Sequence, residues 1–143
     1  MLLAILVLGL LGTAVELILL QHYGDWMQVV PLALIVLTLV AVLWHILVPS
    51  APNVRVLQAL MVLFVVAGPI GMGLHYDANA EFEHEMDPSL SGARLFSESL
   101  SGATPLLAPG TMVQLGLIGL VYTYRHPRLE SAASNGRRQE WDV

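Results

Sequence analysis

Val54–His75, VRVLQALMVLFVVAGPIGMGLH, carries Arg55 and then nothing ionisable until its closing histidine. As a helix its 22 residues would extend about 33 Å, enough to cross a hydrocarbon core about 30 Å thick. The adjoining stretch is its opposite. His75–Asp87, HYDANAEFEHEMD, has six His, Asp or Glu among its thirteen residues even before the closing Asp87 is counted. An apolar run that ends in an acidic stretch, with another apolar run beyond, sets the class of this chain.

Composition agrees. The chain has 143 residues, 56% hydrophobic and 12% charged, with a mean hydropathy of +0.70. Soluble domains carry about 25% charged residues. The expected fold is an all-α integral membrane protein. Four transmembrane helices form two antiparallel hairpins, with a short interfacial helix on the outer face between the third and fourth. The spans fall at about 1–21, 29–48, 54–75 and 106–124, within one domain over 1–125. Residues 76–105 are read as an outer loop and 126–143 as a disordered cytoplasmic tail. The first run has no basic residue ahead of it and no small-residue cleavage site after it, so it reads as a retained helix rather than a signal peptide.

Connections derive from local chemistry. Tyr23 and Trp26 suit a membrane interface. Asp25 is a good N-cap for the second span, and Pro31 is tolerated near its start. PSAPN, residues 49–53, is a short hairpin connection. Pro69, flanked by Gly68, Gly71 and Gly73, is expected to kink the third span. Asp87-Pro88 is expected to start the interfacial helix over about Ser89–Leu100, with Leu90, Phe96 and Leu100 on the membrane. Trp44 and His45 read as belt residues at the opposite interface.

Topology is read from arginine, the only strongly basic residue type present. Arg55, Arg125, Arg128, Arg137 and Arg138 flank one side, and Arg94 alone lies on the other. The positive-inside rule then puts both termini in the cytoplasm, in a bacterial plasma (inner) membrane, and the acidic stretch outside.

Several functions drop out. With no cysteine there is no disulfide, thiolate metal site or thiol catalysis. A net charge of −5 argues against nucleic-acid binding. There is no phosphate-binding glycine loop, and no catalytic triad is recognisable, so the reading leans away from an enzyme. Asn79 is followed by Ala80 and Glu81, so it is no glycosylation acceptor.

The remaining chemistry gathers at the outer face. Glu16 is an ionisable group inside or at the edge of a span, where such residues normally face the bundle and have a partner. It is read either as a structural hydrogen-bonding group, with Gln114 or a backbone carbonyl freed at Pro69, or as a ligand or proton site. His22 and His75 end the first and third spans on the same side. Glu81, His84 and Glu85 share a face if their stretch is helical; Glu81, Glu83 and Glu85 share one if it is extended. Glu16, His22, His75, Glu81, His84 and Glu85 are thus candidate ligands for a divalent transition metal. The bland alternative is a set of interfacial histidines and a solvated acidic loop. A bis-histidine haem between His22 and His75 is geometrically conceivable, but no other feature of the sequence asks for one. The composite expectation is His75 and Glu81 as a lid over Glu16 and His22.

Three functions are weighed. The first is a non-catalytic accessory or assembly subunit, associating in the bilayer with other membrane subunits or with itself through glycine-lined helix faces. The second is a metal- or cofactor-binding protein, possibly an oxidoreductase. The third is proton or cation translocation through Glu16.

Overall fold

The computed structural model describes residues 1–129; the stretch read as the disordered tail lies mostly outside the described residues. Among the described residues the regular structure is helical: α1 (Leu2–Leu19), α2 (Trp26–Leu47), α3 (Ala51–Met86), α4 (Gly92–Leu100) and α5 (Gly110–Thr123). Three of these, α1, α2 and α3, are long and apolar enough to cross a membrane, with mean hydropathies of 2.6, 2.6 and 2.0. α5 has 14 residues, about 21 Å, and falls short on length alone. The expected fourth span is therefore a shorter helix. It starts four residues later than its predicted start at Leu106, because Pro105 and Pro109 bracket a turn-like ramp closed by bonds such as Ala108 N–H to Pro105 O.

The termini of α2 and α3 are fixed by their own side chains. Asp25 caps α2 as expected, accepting from the N–H groups of Met27 and Gln28. Ser50 caps α3. Buried Asn53 donates to the Val48 carbonyl at the C-cap of α2, which locks the short connection between the two helices.

α3 packs against α2, α4 and α5, and α1 packs against α2 and α5. Leu3 and Val7 of α1 pack with Ala41 and Val42 near the end of α2, so these two helices run in opposite directions. The α3–α5 register is likewise antiparallel: Gly116 meets Met61 and Val65, while Gly68 meets Val113 and Pro109. The central core is Leu6, Leu10, Ile35, Met61, Phe64, Met112 and Leu115, drawn from four helices. Outward faces are apolar as well: Leu8, Val36, Leu43, Val62, Val66 and Val121 are each at least half exposed. A helix set that is apolar all round is the pattern of a chain solvated by lipid.

Glycine allows the close approach. A Cβ on Gly116 would lie 2.8 Å from the Met61 carbonyl oxygen, which is backbone and cannot move aside. Gly9 faces Leu115, and Gly119 faces Met61. The glycine faces read from the sequence as docking surfaces for partners are thus largely used within the chain.

α3 differs most from expectation. It continues as a helix through Pro69 and past His75 to Met86, where the sequence reading places a loop from residue 76. Its 36 residues extend about 54 Å, well beyond a hydrocarbon core. α4 lies against the extension, with Tyr76 and Phe96 rings 5.8 Å apart. α4 begins at Gly92, with Ser91 at its N-cap position but making no side-chain capping bond, rather than at Ser89. Asp87 instead closes a turn, accepting from both the hydroxyl and the N–H of Ser89; these bonds hold its carboxyl below the usual carboxylate range. Leu90, expected on the membrane, is buried against the protein.

Replacing Gly116 by Ala should lower the thermal unfolding midpoint in detergent, at a cost of about 1–3 kcal/mol for overpacking. Gly12→Ala, whose added Cβ meets nothing within 4 Å, should leave the midpoint unchanged or slightly higher.

Candidate functional site

At the end of the bundle where α1 stops and α2 begins lies a cavity of about 970 Å³. α1 contributes Thr13, Glu16, Leu17 and Leu20; the α1–α2 connection gives His22 and Asp25; α2 adds Trp26, Met27, Gln28, Val30 and Pro31. α3 contributes Ala67, Ile70, Gly71, Leu74, His75 and Ala78, and the ramp into α5 supplies Thr104, Pro105, Ala108 and Pro109. The lining is mostly aliphatic, with two carboxylates and two imidazoles among its polar groups. Met112 belongs to both the lining and the central core, so the packed core begins directly below the cavity.

His22 reaches the cavity through a particular helix end. The His22 N–H bonds the Leu17 carbonyl and the Gln21 N–H bonds that of Ile18, the double closure of a Schellman motif. Gln21 occupies the left-handed position, at φ 52°, where glycine is usual.

His75 is held from the other side. Its Nδ1 lies 2.8 Å from the Pro105 carbonyl oxygen. A carbonyl can only accept, so Nδ1 is the donor in this contact. The His22 and His75 rings meet edge to face with centroids 6.1 Å apart.

Pro105 is in turn positioned by a residue that sequence reasoning passes over. Asn79, one helical turn beyond His75, is 1% exposed. Its Nδ2 donates to the carbonyls of Ser99 (3.0 Å) and Thr104 (2.8 Å), and its Oδ1 accepts from the Thr104 N–H (2.8 Å). Gly102 passes directly over it, and a Cβ there would sit 2.6 Å from Asn79 Cγ. The available signal is an amide at i+4 from His75, which places both on one face if the helix continues.

The six candidate ligands divide. Glu16, His22 and His75 line the cavity. Glu81, His84 and Glu85 are exposed on the α3 extension and outside the lining, Glu81 being about 9 Å further along the axis than His75. The expected lid of His75 and Glu81 therefore does not form. Because the stretch is helical, its side chains radiate around an axis instead of folding back over α1. Among the described residues no group of three or more His, Asp or Glu comes together to hold a metal ion. Gln114, considered as a partner of Glu16, is exposed on α5.

A second ring cluster occupies the opposite end. His45 is 5% exposed, buried rather than a belt residue, and its Nε2 lies 2.9 Å from the Tyr122 hydroxyl. His126 packs on both, with ring centroids 5.3 Å from His45 and 5.7 Å from Tyr122. Nδ1 of His45 is buried without a hydrogen-bond partner among the described residues.

Comparison of the chain with protein-family models, curated proteins and solved structures gives no match.

Asn79→Ala should expose its dependence on these bonds. It strands two carbonyls and an N–H, each costing about 1–3 kcal/mol if left unsatisfied. The unfolding midpoint should fall, and amide exchange should rise first over residues 99–105. Unchanged exchange there would show that Asn79 does not hold the loop.

Proposed function

We propose that this chain is a multi-pass membrane protein that binds a small amphipathic molecule at the His22/His75 end of its bundle. The supporting observation is the cavity: large, aliphatic over most of its wall, and furnished with polar groups concentrated on Glu16, His22, Asp25 and His75. Ligand sites have this character, an apolar body with a few placed polar groups that set orientation. The arginine bias assigns this end to the periplasm or cell exterior and both termini to the cytoplasm, with α5 as a fourth, thinner crossing. An apolar tail would lie against Leu17, Leu20, Ile70 and Leu74, and the head group would meet the two carboxylates and the imidazoles.

Two competing readings lose their motive. A transition-metal site built from protein ligands alone lacks a third ligand in reach among the described residues. A translocation path through Glu16 would have to cross the core formed by Leu6, Leu10, Ile35 and Phe64, each at most 1% exposed.

The test is retention. Protein purified in mild detergent should yield one defined amphiphile in near-stoichiometric amount on solvent extraction and mass spectrometry. Ala78→Trp and Ala108→Trp, both at exposed positions of the lining, should reduce that amount at least tenfold without lowering the unfolding midpoint. Extracts of wild type and variants that are indistinguishable would overturn the proposal.

One observation favours the accessory-subunit reading beside it. Gln114 is exposed in the first half of α5, on an otherwise apolar surface. A carboxamide there gains from a hydrogen-bonding partner on another helix, by about 0.6–2 kcal/mol. Gln114→Leu should shift the chain toward the monomer in native mass spectrometry, or release a stoichiometric subunit. An unchanged assembly state would remove this support.

A further inference from the structure

We infer that the ligand of the cavity is a lipophilic cation, an apolar body bearing one protonated amine that the carboxylates of Glu16 and Asp25 receive. This rests on the ligand-binding reading and narrows it by the sign of the head group.

The lining sets that sign. Its ionisable groups are Glu16, Asp25, His22 and His75, and among the described residues it holds no Arg or Lys. The described arginines lie elsewhere. Arg55, Arg125 and Arg128 are at the opposite end of the bundle, and Arg94 sits on α4 outside the lining. The surroundings carry the same sign as the lining. Asp77, Glu81, Glu83 and Glu85 stand on the α3 extension that continues from His75. A concave, low-dielectric wall with charges of one sign concentrates counter-ions at its mouth.

The carboxylates are also unmatched within the chain. Among the described residues the Glu16 side chain makes no hydrogen bond and no ion pair. Ionisable groups in a span normally have a partner, and here the chain supplies none. Asp25 is half engaged. Its Oδ1 caps α2, accepting from the N–H groups of Met27 and Gln28 at 2.6 and 3.2 Å, and its Oδ2 takes no bond among the described residues. An ionised carboxylate can only accept, so what both groups lack is a donor. A protonated amine brings donors and counter-charge together, in charge-assisted bonds.

Other head groups fit less well. An anionic one would stand beside two like charges. A zwitterionic phospholipid would bring a phosphate that no Arg or Lys of the lining meets. A neutral one would leave Glu16 without a counter-charge against a mostly aliphatic wall, where an unpaired charge is costly. Trp26 adds an indole to the lining, the aromatic face that attracts cations most strongly. The two imidazoles, packed edge to face with His75 tied to the Pro105 carbonyl, serve as wall.

The experiment is equilibrium binding of three radiolabelled probes that share one tail: dodecylamine, dodecanoic acid and dodecanol. The full chain is held in phosphatidylcholine nanodiscs at neutral pH, with empty nanodiscs as the baseline. Wild type should bind dodecylamine saturably, near one per chain, and about tenfold more tightly than either other probe, the gain of a charge-assisted bond. Glu16→Gln should weaken dodecylamine about tenfold, and Asp25→Asn should weaken it severalfold. Both should keep the wild-type unfolding midpoint, since asparagine caps a helix as well as aspartate does. Glu81→Gln, outside the cavity, should change nothing. No saturable uptake of dodecylamine, or uptake that ignores Glu16→Gln, or uptake that Glu81→Gln weakens equally as general surface charge would, overturns the inference. If dodecanol or dodecanoate binds as tightly as dodecylamine and Ala108→Trp abolishes that binding, only the cation assignment falls. If no probe binds and solvent extraction yields no amphiphile, the ligand-binding reading falls with it.

Discussion

The carboxamide of Asn79 is the contact on which the His22/His75 end of the molecule depends. It is the only side chain among the described residues that satisfies three backbone groups on a segment distant in sequence, at Ser99 and Thr104. An amide is required, because the site needs two donors and an acceptor from one group. Aspartate would supply no donor and leucine nothing at all. The crossing of Gly102 over the amide makes the two residues a unit, since either a shorter side chain at 79 or a larger residue at 102 would break the seat. From that unit the order passes outward through Pro105 to the His75 ring and from there to His22.

The cavity lies where close packing stops. Within lipid, helices associate through van der Waals contact and small residues rather than through expulsion of water. Gly9, Gly116 and Gly119 draw α1, α3 and α5 together around Met61 and Leu115. Beyond Met112 the pattern changes. Gly71 meets Pro109, and the ramp of residues 105–109 lacks the regular knobs that would fill the gap. The bundle is therefore dense at its centre and open at the His22/His75 end. The opposite end is closed by the His45, Tyr122 and His126 rings and by Gln58, which donates to the Thr123 carbonyl at the end of α5.

Much of this is legible in sequence because it rests on composition and local chemistry. The three long apolar helices, the Asp25 cap and the convergence of Glu16, His22 and His75 on one end need only hydropathy, capping preference and parity of crossings. The rest depends on tertiary partners. Residues 76–86 read as loop because they are acidic, yet Ala, Glu and Met are good helix formers, and α4 supplies a surface against which a solvated helix can extend. Asn79 reads from sequence only as a failed glycosylation acceptor, since nothing there announces that Ser99 and Thr104 will come beneath it. His45 looks like a belt residue because Trp44 is its neighbour. In the fold Trp44 faces outward at 48% exposure, while His45, one residue on, points to Tyr122.

Backbone strain ties the two ends together. Two non-glycine residues among those described adopt positive φ, Gln21 at 52° and Arg125 at 48°. Each carries a cost of about 1–2 kcal/mol relative to a right-handed conformation. Each also immediately precedes a histidine in a ring cluster, His22 against His75 and His126 against His45. Strain of this kind persists only where surrounding contacts over-determine it, and it concentrates at functional sites. At Gln21 the compensating contacts are the two backbone bonds of the Schellman closure. Glycine would make the same closure without the steric cost, but it would also leave the unfolded chain more freedom to lose. A side chain at position 21 thus trades a small local strain for a stiffer turn. That turn sets where His22 stands, and it is the place where the fold gives up stability to aim an imidazole.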